Sequence, residues 1–150
     1  MTSLSNRYHA YIACLNRQSW DELGTYVDAD VQHNGRRLGL AGYRDMLISD
    51  FEQIPNLFFK IGMLVCESPW VAARLEFNCS PRGTFLGLQI DGRRVSFAEN
   101  VFYQFTNERI VSVWSIIDKK AIEAQLAQSS TTGFGSLNPP EDGLKHERDH

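Results

Sequence analysis

The chain has 150 residues, 43% of them apolar, and its 15 Lys and Arg against 18 Asp and Glu leave a net charge of -3. That length holds one core rather than two ordinary domains, and that charge supplies no broad positive field to gather nucleic acid or an anionic membrane surface. The longest apolar runs, such as Ile61 to Cys66, fall far short of the roughly 20 residues that cross a bilayer, and Met1 to Asn6 is polar rather than signal-like, so neither nucleic acid nor membrane is an expected partner and a cytoplasmic location follows.

In chain order, Tyr8, Tyr11, Ile12 and Leu15 recur at helical spacing and predict an amphipathic helix from about Ser5 to Arg17. Ser19 followed by Glu22 has the form of a capping box, so a second short helix is expected to start there and end near Tyr26. A brief strand around Val31 to His33 precedes a third helix, whose face is marked by Tyr43, Met46, Leu47 and Phe51 and which stops before Pro55. Beyond Pro55, β-branched and aromatic runs broken by Gly, Pro, Asn and Asp predict strands near Leu57 to Ser68, Trp70 to Cys79, Thr84 to Ile90, Arg94 to Phe105 and Arg109 to Ile117. Asp91-Gly92 reads as the clearest hairpin turn, because both residues tolerate the positive φ such a turn demands. A closing helix from about Lys119 to Ala127 ends the domain at residues 1–127, and residues 128–150, rich in Ser, Thr, Gly and Pro and then charged, read as a flexible tail or an arm laid on a neighbouring subunit. Three helices followed by a meander of long strands make an α+β arrangement with helices on one side of a mostly antiparallel curved sheet. The space under that sheet is the default place for a ligand.

The stretch Gly92 to Phe97, then Glu99-Asn100-Val101-Phe102-Tyr103, Asn107-Glu108-Arg109-Ile110-Val111, and Trp114 through Asp118 to Gln125-Leu126 resembles the SnoaL-like polyketide and ester cyclase group. Asp30-Val31-Gln32-His33-Asn34 and the start of the third helix at Gly42-Tyr43-Arg44 fit it too, and the order of the pieces over about residues 8 to 127 carries the likeness. The resemblance implies an NTF2-like cone, often dimeric, and an aldol closure in which a carboxylate removes an acidic proton and a polar group steadies the enolate, with no metal or organic cofactor. It also implies an acid/base Asp three positions before a second Asp, and a companion His on the preceding strand. Here the second Asp is Asp118, while the other two positions hold Ser115 and Val101, so isomerase or hydrolase chemistry stays as open as cyclisation.

Several residues are candidates for the site. Phe97, Glu99, Val101, Tyr103 and Phe105 share one strand face by alternation, so if Val101 faces the pocket, Glu99 and Tyr103 do as well. A carboxylate among aromatics has a raised pKa and becomes a usable base near neutrality; the alternative is that Glu99 forms an ion pair with Arg74 or Arg94. His33, followed by Asn34, could orient or deprotonate a carbonyl substrate, or it is a loop histidine beside Gly35. Arg74, Glu76 and Asn78 share a strand face that is either a pocket wall or a solvated surface, with Arg74 the one most suited to a ligand. Asp118 suits an N-cap of the closing helix and, by family position, a ligand contact. Tyr11, on the apolar face of the first helix, completes the substrate-binding set. Cys14, Cys66 and Cys79 have no metal or disulfide spacing and read as buried small side chains.

The functional expectation is a cofactor-independent enzyme acting by proton transfer on a small apolar, carbonyl-bearing or cyclic metabolite. Glu99 is its base, His33 its orienting group, and Ser115 and Tyr103 its hydrogen-bond partners. The rivals are a non-catalytic binding protein for a hydrophobic molecule, a hydrolase on the same fold, and an interaction domain using the outer sheet face. Trp114, with Ile110 and Ile116, is expected on that outer face, which predicts a homodimer through it.

Overall fold

The computed structural model describes residues 3–131, with side chains to residue 128. Helix α1 (Leu4–Arg17) starts where the Ser3 hydroxyl accepts from the Asn6 amide at 3.0 Å, and ends at Gln18 in the left-handed region (φ 56°). The chain then makes a single 3-10 stretch (Trp20–Thr25) and strand β1 (Val27–His33), followed by a two-residue β2 (Arg36–Arg37) and helix α2 (Gly39–Gln53). Strands β3 (Lys60–Glu67) and β4 (Trp70–Cys79) follow, then the small β5 (Thr84–Phe85) and β6 (Leu88–Gln89), and then β7 (Val95–Thr106), β8 (Arg109–Ile117) and helix α3 (Lys119–Thr131).

Six strands form one sheet in the order β2-β1-β8-β7-β4-β3, antiparallel throughout except for the parallel β1–β8 pair. The inward residues of β4 (Val71, Ala73, Leu75, Phe77) and of β7 (Phe97, Val101, Tyr103, Phe105) are buried against the apolar stripe of α1 (Tyr8, Tyr11, Ile12, Leu15) and Tyr43 and Leu47 of α2. Each Val, Leu, Ile or Phe among them contributes about 1.5–3 kcal/mol on leaving water, which makes this inner face the main source of stability. Two side-chain amides stand in where backbone pairing runs out. Asn16 on α1 accepts from the Phe59 amide at 2.8 Å and donates to the Phe59 carbonyl at 3.0 Å, tying the approach to β3 onto the helix. β8 ends opposite Glu99, and beyond that point Gln125 of α3 accepts from the Ser96 amide at 2.8 Å, binding the start of β7.

Four expectations change. The capping box at Ser19 does not form, because Arg17 takes both of its side chains, donating to Ser19 Oγ at 3.3 Å and to Glu22 at 3.0 Å; the element is a 3-10 stretch with no side-chain cap. Asp91 and Gly92 do adopt positive φ and the Arg93 amide closes the turn onto the Ile90 carbonyl at 3.1 Å, yet this turn joins no hairpin. β6 pairs back onto β5 through Leu86-Gly87, while β7 pairs with β4 and β8, so the strand expected over Thr84 to Ile90 is a miniature hairpin of its own. Ile110 is fully buried rather than on the outer face with Trp114 and Ile116. The cause is a bulge: Gln104 pairs with Ser112 but Phe105 pairs with Ile110, so Val111 is an extra residue and the alternation of β8 reverses there. Finally, α3 continues to Thr131, four residues past its expected end; the rest of the expected tail, from residue 132, lies outside the described residues.

Candidate functional site

A cavity of about 360 Å³ lies between the inner sheet face and the helices. Most of its wall is apolar, from Leu15, Leu47, Phe59, Phe77, Phe97 and neighbouring side chains, and among the described residues no Lys or Arg lines it. Polar groups gather from three strands and two helices: Glu99 and Tyr103 on β7, Ser115 on β8, His33 at the end of β1, Tyr11 on α1, and Tyr43, Asp50 and Gln53 on α2.

The β7–β8 register sets the strand geometry, since Val101 stands opposite Ser115 and Glu99 opposite Ile117, leaving Glu99 and Ser115 diagonal neighbours on one face. The Ser115 hydroxyl hydrogen-bonds the Glu99 carboxylate. On its other side Ser115 Oγ lies 3.4 Å from His33 Nε2. Because an ionised carboxylate only accepts, the order of donation with Glu99 charged is His33 Nε2–H to Ser115 Oγ, and Ser115 O–H to Glu99.

Burial pushes the Glu99 carboxyl up from 4.5 to about 7, with the nearby Asp50 charge adding to the rise and the Ser115 hydrogen bond opposing it. Burial, helped by the Arg36 charge, lowers the His33 pKa, so its ring is neutral near pH 7. Asp50 is raised from 3.8 to about 6 by burial alone. The tyrosines make two hydrogen-bonded pairs, Tyr8 donating to Tyr103 at 2.9 Å and Tyr11 with Tyr43 at 2.7 Å, and burial raises all four phenols. A phenol pair owns two O–H groups and uses one between its members, which leaves a donor for a ligand.

Glu99, His33, Ser115, Tyr103, Val101 and Tyr11 therefore meet at one cavity. The other three candidates do not line it. Arg74 alternates with the inward Leu75, and it points to the outer face, donating to Asn100 Oδ1 at 3.0 Å. Arg94 likewise donates to Asn78 at 2.8 Å, so neither arginine pairs with Glu99. Asp118 accepts from the Ala121 amide at 3.2 Å as the cap of α3, beside a hollow on the outer face. Asn34 is exposed, and its amide accepts from the Ser115 backbone at 2.9 Å and donates to the Ser115 carbonyl at 3.3 Å; it holds the site's strand in place instead of reaching a ligand.

Asp50 and Tyr43 are cavity residues that the candidate set lacked. A signal for Asp50 exists in the sequence: it falls three residues after Leu47 and four after Met46, an acid inside the apolar stripe of α2.

The model of the SnoaL-like polyketide cyclase family matches residues 5–126. Among solved structures, a SnoaL-like polyketide cyclase from Agrobacterium tumefaciens is 52% identical with a TM-score of 0.83, covering 84% of this chain and 99% of that one. TsrD from Streptomyces laurentii is 21% identical with a TM-score of 0.70, covering 81% and 92% respectively. IdmH from Streptomyces antibioticus is 17% identical with a TM-score of 0.71, covering 84% and 99%; at such identities these two speak for the fold alone. No curated protein matches. With the family model spanning the helices, the sheet and every cavity residue from Tyr11 to Ser115, the chain belongs to the SnoaL-like polyketide cyclase family.

Proposed function

We propose that this protein is a cofactor-independent enzyme of the cyclase and isomerase type, moving a proton on a small, mostly apolar metabolite with a carbonyl or ring that can hold negative charge. Glu99 is the base, His33 orients or shuttles through Ser115, and Ser115 and Tyr103 supply hydrogen bonds. The observation that carries this reading is a carboxyl group held near neutrality in an apolar cavity, joined through one hydroxyl to a neutral imidazole. A base whose pKa matches the working pH combines availability with strength.

The test is hydrogen–deuterium exchange at the α-carbon of neutral aryl ketones and β-keto esters in heavy water, followed by NMR. Wild type accelerates exchange for at least one compound, and Glu99→Gln slows it by about 10²–10⁴-fold with melting unchanged. An unaffected rate in that variant removes Glu99 from the mechanism. A second reading, a binding protein without catalysis, is favoured by Val101 and Ser115 standing where the family resemblance implies His and Asp. It requires ligand-induced thermal stabilisation with no exchange.

We also propose a homodimer through the outer sheet face, supported by exposed Met63, Val65, Phe102, Trp114 and Ile116 on neighbouring strands and by Trp70 packing against Trp114 with ring centroids 6.4 Å apart. Three free cysteines are in keeping with a reducing cytoplasmic setting.

A further inference from the structure

Helix α2 turns Tyr43, Met46 and Leu47 toward the cavity, with Ile54 at its C-cap, and Asp50 falls among them. The exposed carboxylates of Asp30 and Glu22 find cations in Arg37 and Arg17. Asp50 differs: among the described residues burial is the one influence that raises it, and no side-chain hydrogen bond or ion pair offsets that burial. Its charge is felt by Glu99 and by Tyr43, which places the two acids within electrostatic reach of each other across the cavity. The titratable groups that face them are Tyr11 from α1, His33 from β1, Tyr43 on the same helix and Tyr103 from β7; β4, β8 and the β5–β6 hairpin contribute only uncharged side chains. Two carboxyl groups in one apolar cavity without a cation do not ionise independently, so the pair retains one proton over a window around neutrality.

We propose that Asp50 is a second catalytic acid/base group, acting opposite Glu99 on the same neutral substrate. This rests on the reading of Glu99 as a base. With one proton shared by the pair, one carboxylate takes a proton from carbon while the other donates to the oxygen on which charge collects. The C–H electron pair becomes the new π bond, the carbonyl π pair moves to oxygen, and the acid's proton neutralises it, so no further reactant is required. A substrate that is itself an anion meets two acids and, among the described residues, no counter-charge, which restricts the cavity to neutral ligands, esters rather than free acids.

The probe is 5-nitrobenzisoxazole, a neutral bicycle that opens when a base removes its C3 proton: the C–H pair forms the nitrile, the N–O bond breaks and a phenolate leaves. With the full chain the rate against pH is bell-shaped. Asp50→Asn turns the bell into a single rise and lowers its maximum at least tenfold, while Glu99→Gln removes the rising limb. Retention of both limbs in Asp50→Asn overturns this inference and leaves the Glu99 base standing. Conversely, loss of rate in Asp50→Asn with none in Glu99→Gln supports a catalytic Asp50 and overturns Glu99 as base; an inert wild type overturns both. A readout independent of turnover comes from ¹³C-carboxyl NMR, in which Asp50 titrates well above the ordinary carboxylate range and the Glu99 titration shifts down in Asp50→Asn. An Asp50 titration in the ordinary range, or a Glu99 titration indifferent to Asp50→Asn, also overturns the inference.

Discussion

The hydroxyl of Ser115 joins Glu99 to His33, lying 3.4 Å from His33 Nε2 and hydrogen-bonding the carboxylate. That hydroxyl stabilises the charged form of Glu99, so its removal has a predictable sign. Ser115→Ala raises the Glu99 pKa above about 7 and moves the rising limb of any pH–rate profile to higher pH. A profile midpoint that stays in place or moves down would show that the hydroxyl does not bond the carboxylate.

The raised carboxyl pKa values also make stability depend on pH. Glu99 moves from 4.5 to about 7 on folding, so between those values the folded chain holds a proton that the unfolded chain has lost. Stability from this group is complete below pH 4.5 and falls as pH rises toward 7, by an amount on the order of 3 kcal/mol. Asp50 acts in the same direction between 3.8 and about 6. His33, with its pKa depressed, acts oppositely and removes stability as pH drops below 6.5. Thermal melting from pH 5 to 8 is thus expected to decline in wild type and to flatten in Glu99→Gln; parallel curves for the two proteins contradict this.

Ile110 and Ile116 lie six positions apart on one strand, fully buried and 67% exposed respectively. Ile110→Ala costs about 2–5 kcal/mol in chemical denaturation, as expected for a cavity opened in a packed core. Ile116→Ala costs under about 0.5 kcal/mol in the monomer. Equal losses at the two positions would mean that the bulge at Val111 is absent in solution.

Phe102 is the central exposed aromatic of the outer face, opposite Trp114 in the β7–β8 ladder. A carboxylate placed there is buried unpaired by any sheet-to-sheet association, so Phe102→Glu converts a dimer into a monomer in light scattering at micromolar concentration. Wild type running as a monomer under the same conditions, or a variant that stays dimeric, excludes this face as the interface.

The local alternation of β4 and β7 was readable from residue order alone, because a strand's two faces follow from backbone geometry with period two; it placed Glu99, Val101 and Tyr103 together on the cavity side. The same rule failed on β8, where Ile110 turned inward, because a bulge is settled by how β7 and β8 pair and not by the residues of β8. Family likeness was readable too, since an ordered series of short motifs survives in the chain, and the matched span 5–126 agrees with it. Arg74 shows where residue type misleads: a strand arginine looks the same whether its face is a pocket wall or open surface, and only the sheet's curvature over α1 and α2 separates the two. Asp50 is the clearest case of what tertiary structure decides. Its place in an apolar helical stripe is written in the sequence, but its chemistry comes from Glu99, over forty residues away in the chain, and from an enclosure to which the described residues bring no cation. Electrostatic coupling depends on distance through the fold and on the water it excludes, and neither exists until the sheet has closed over the helices.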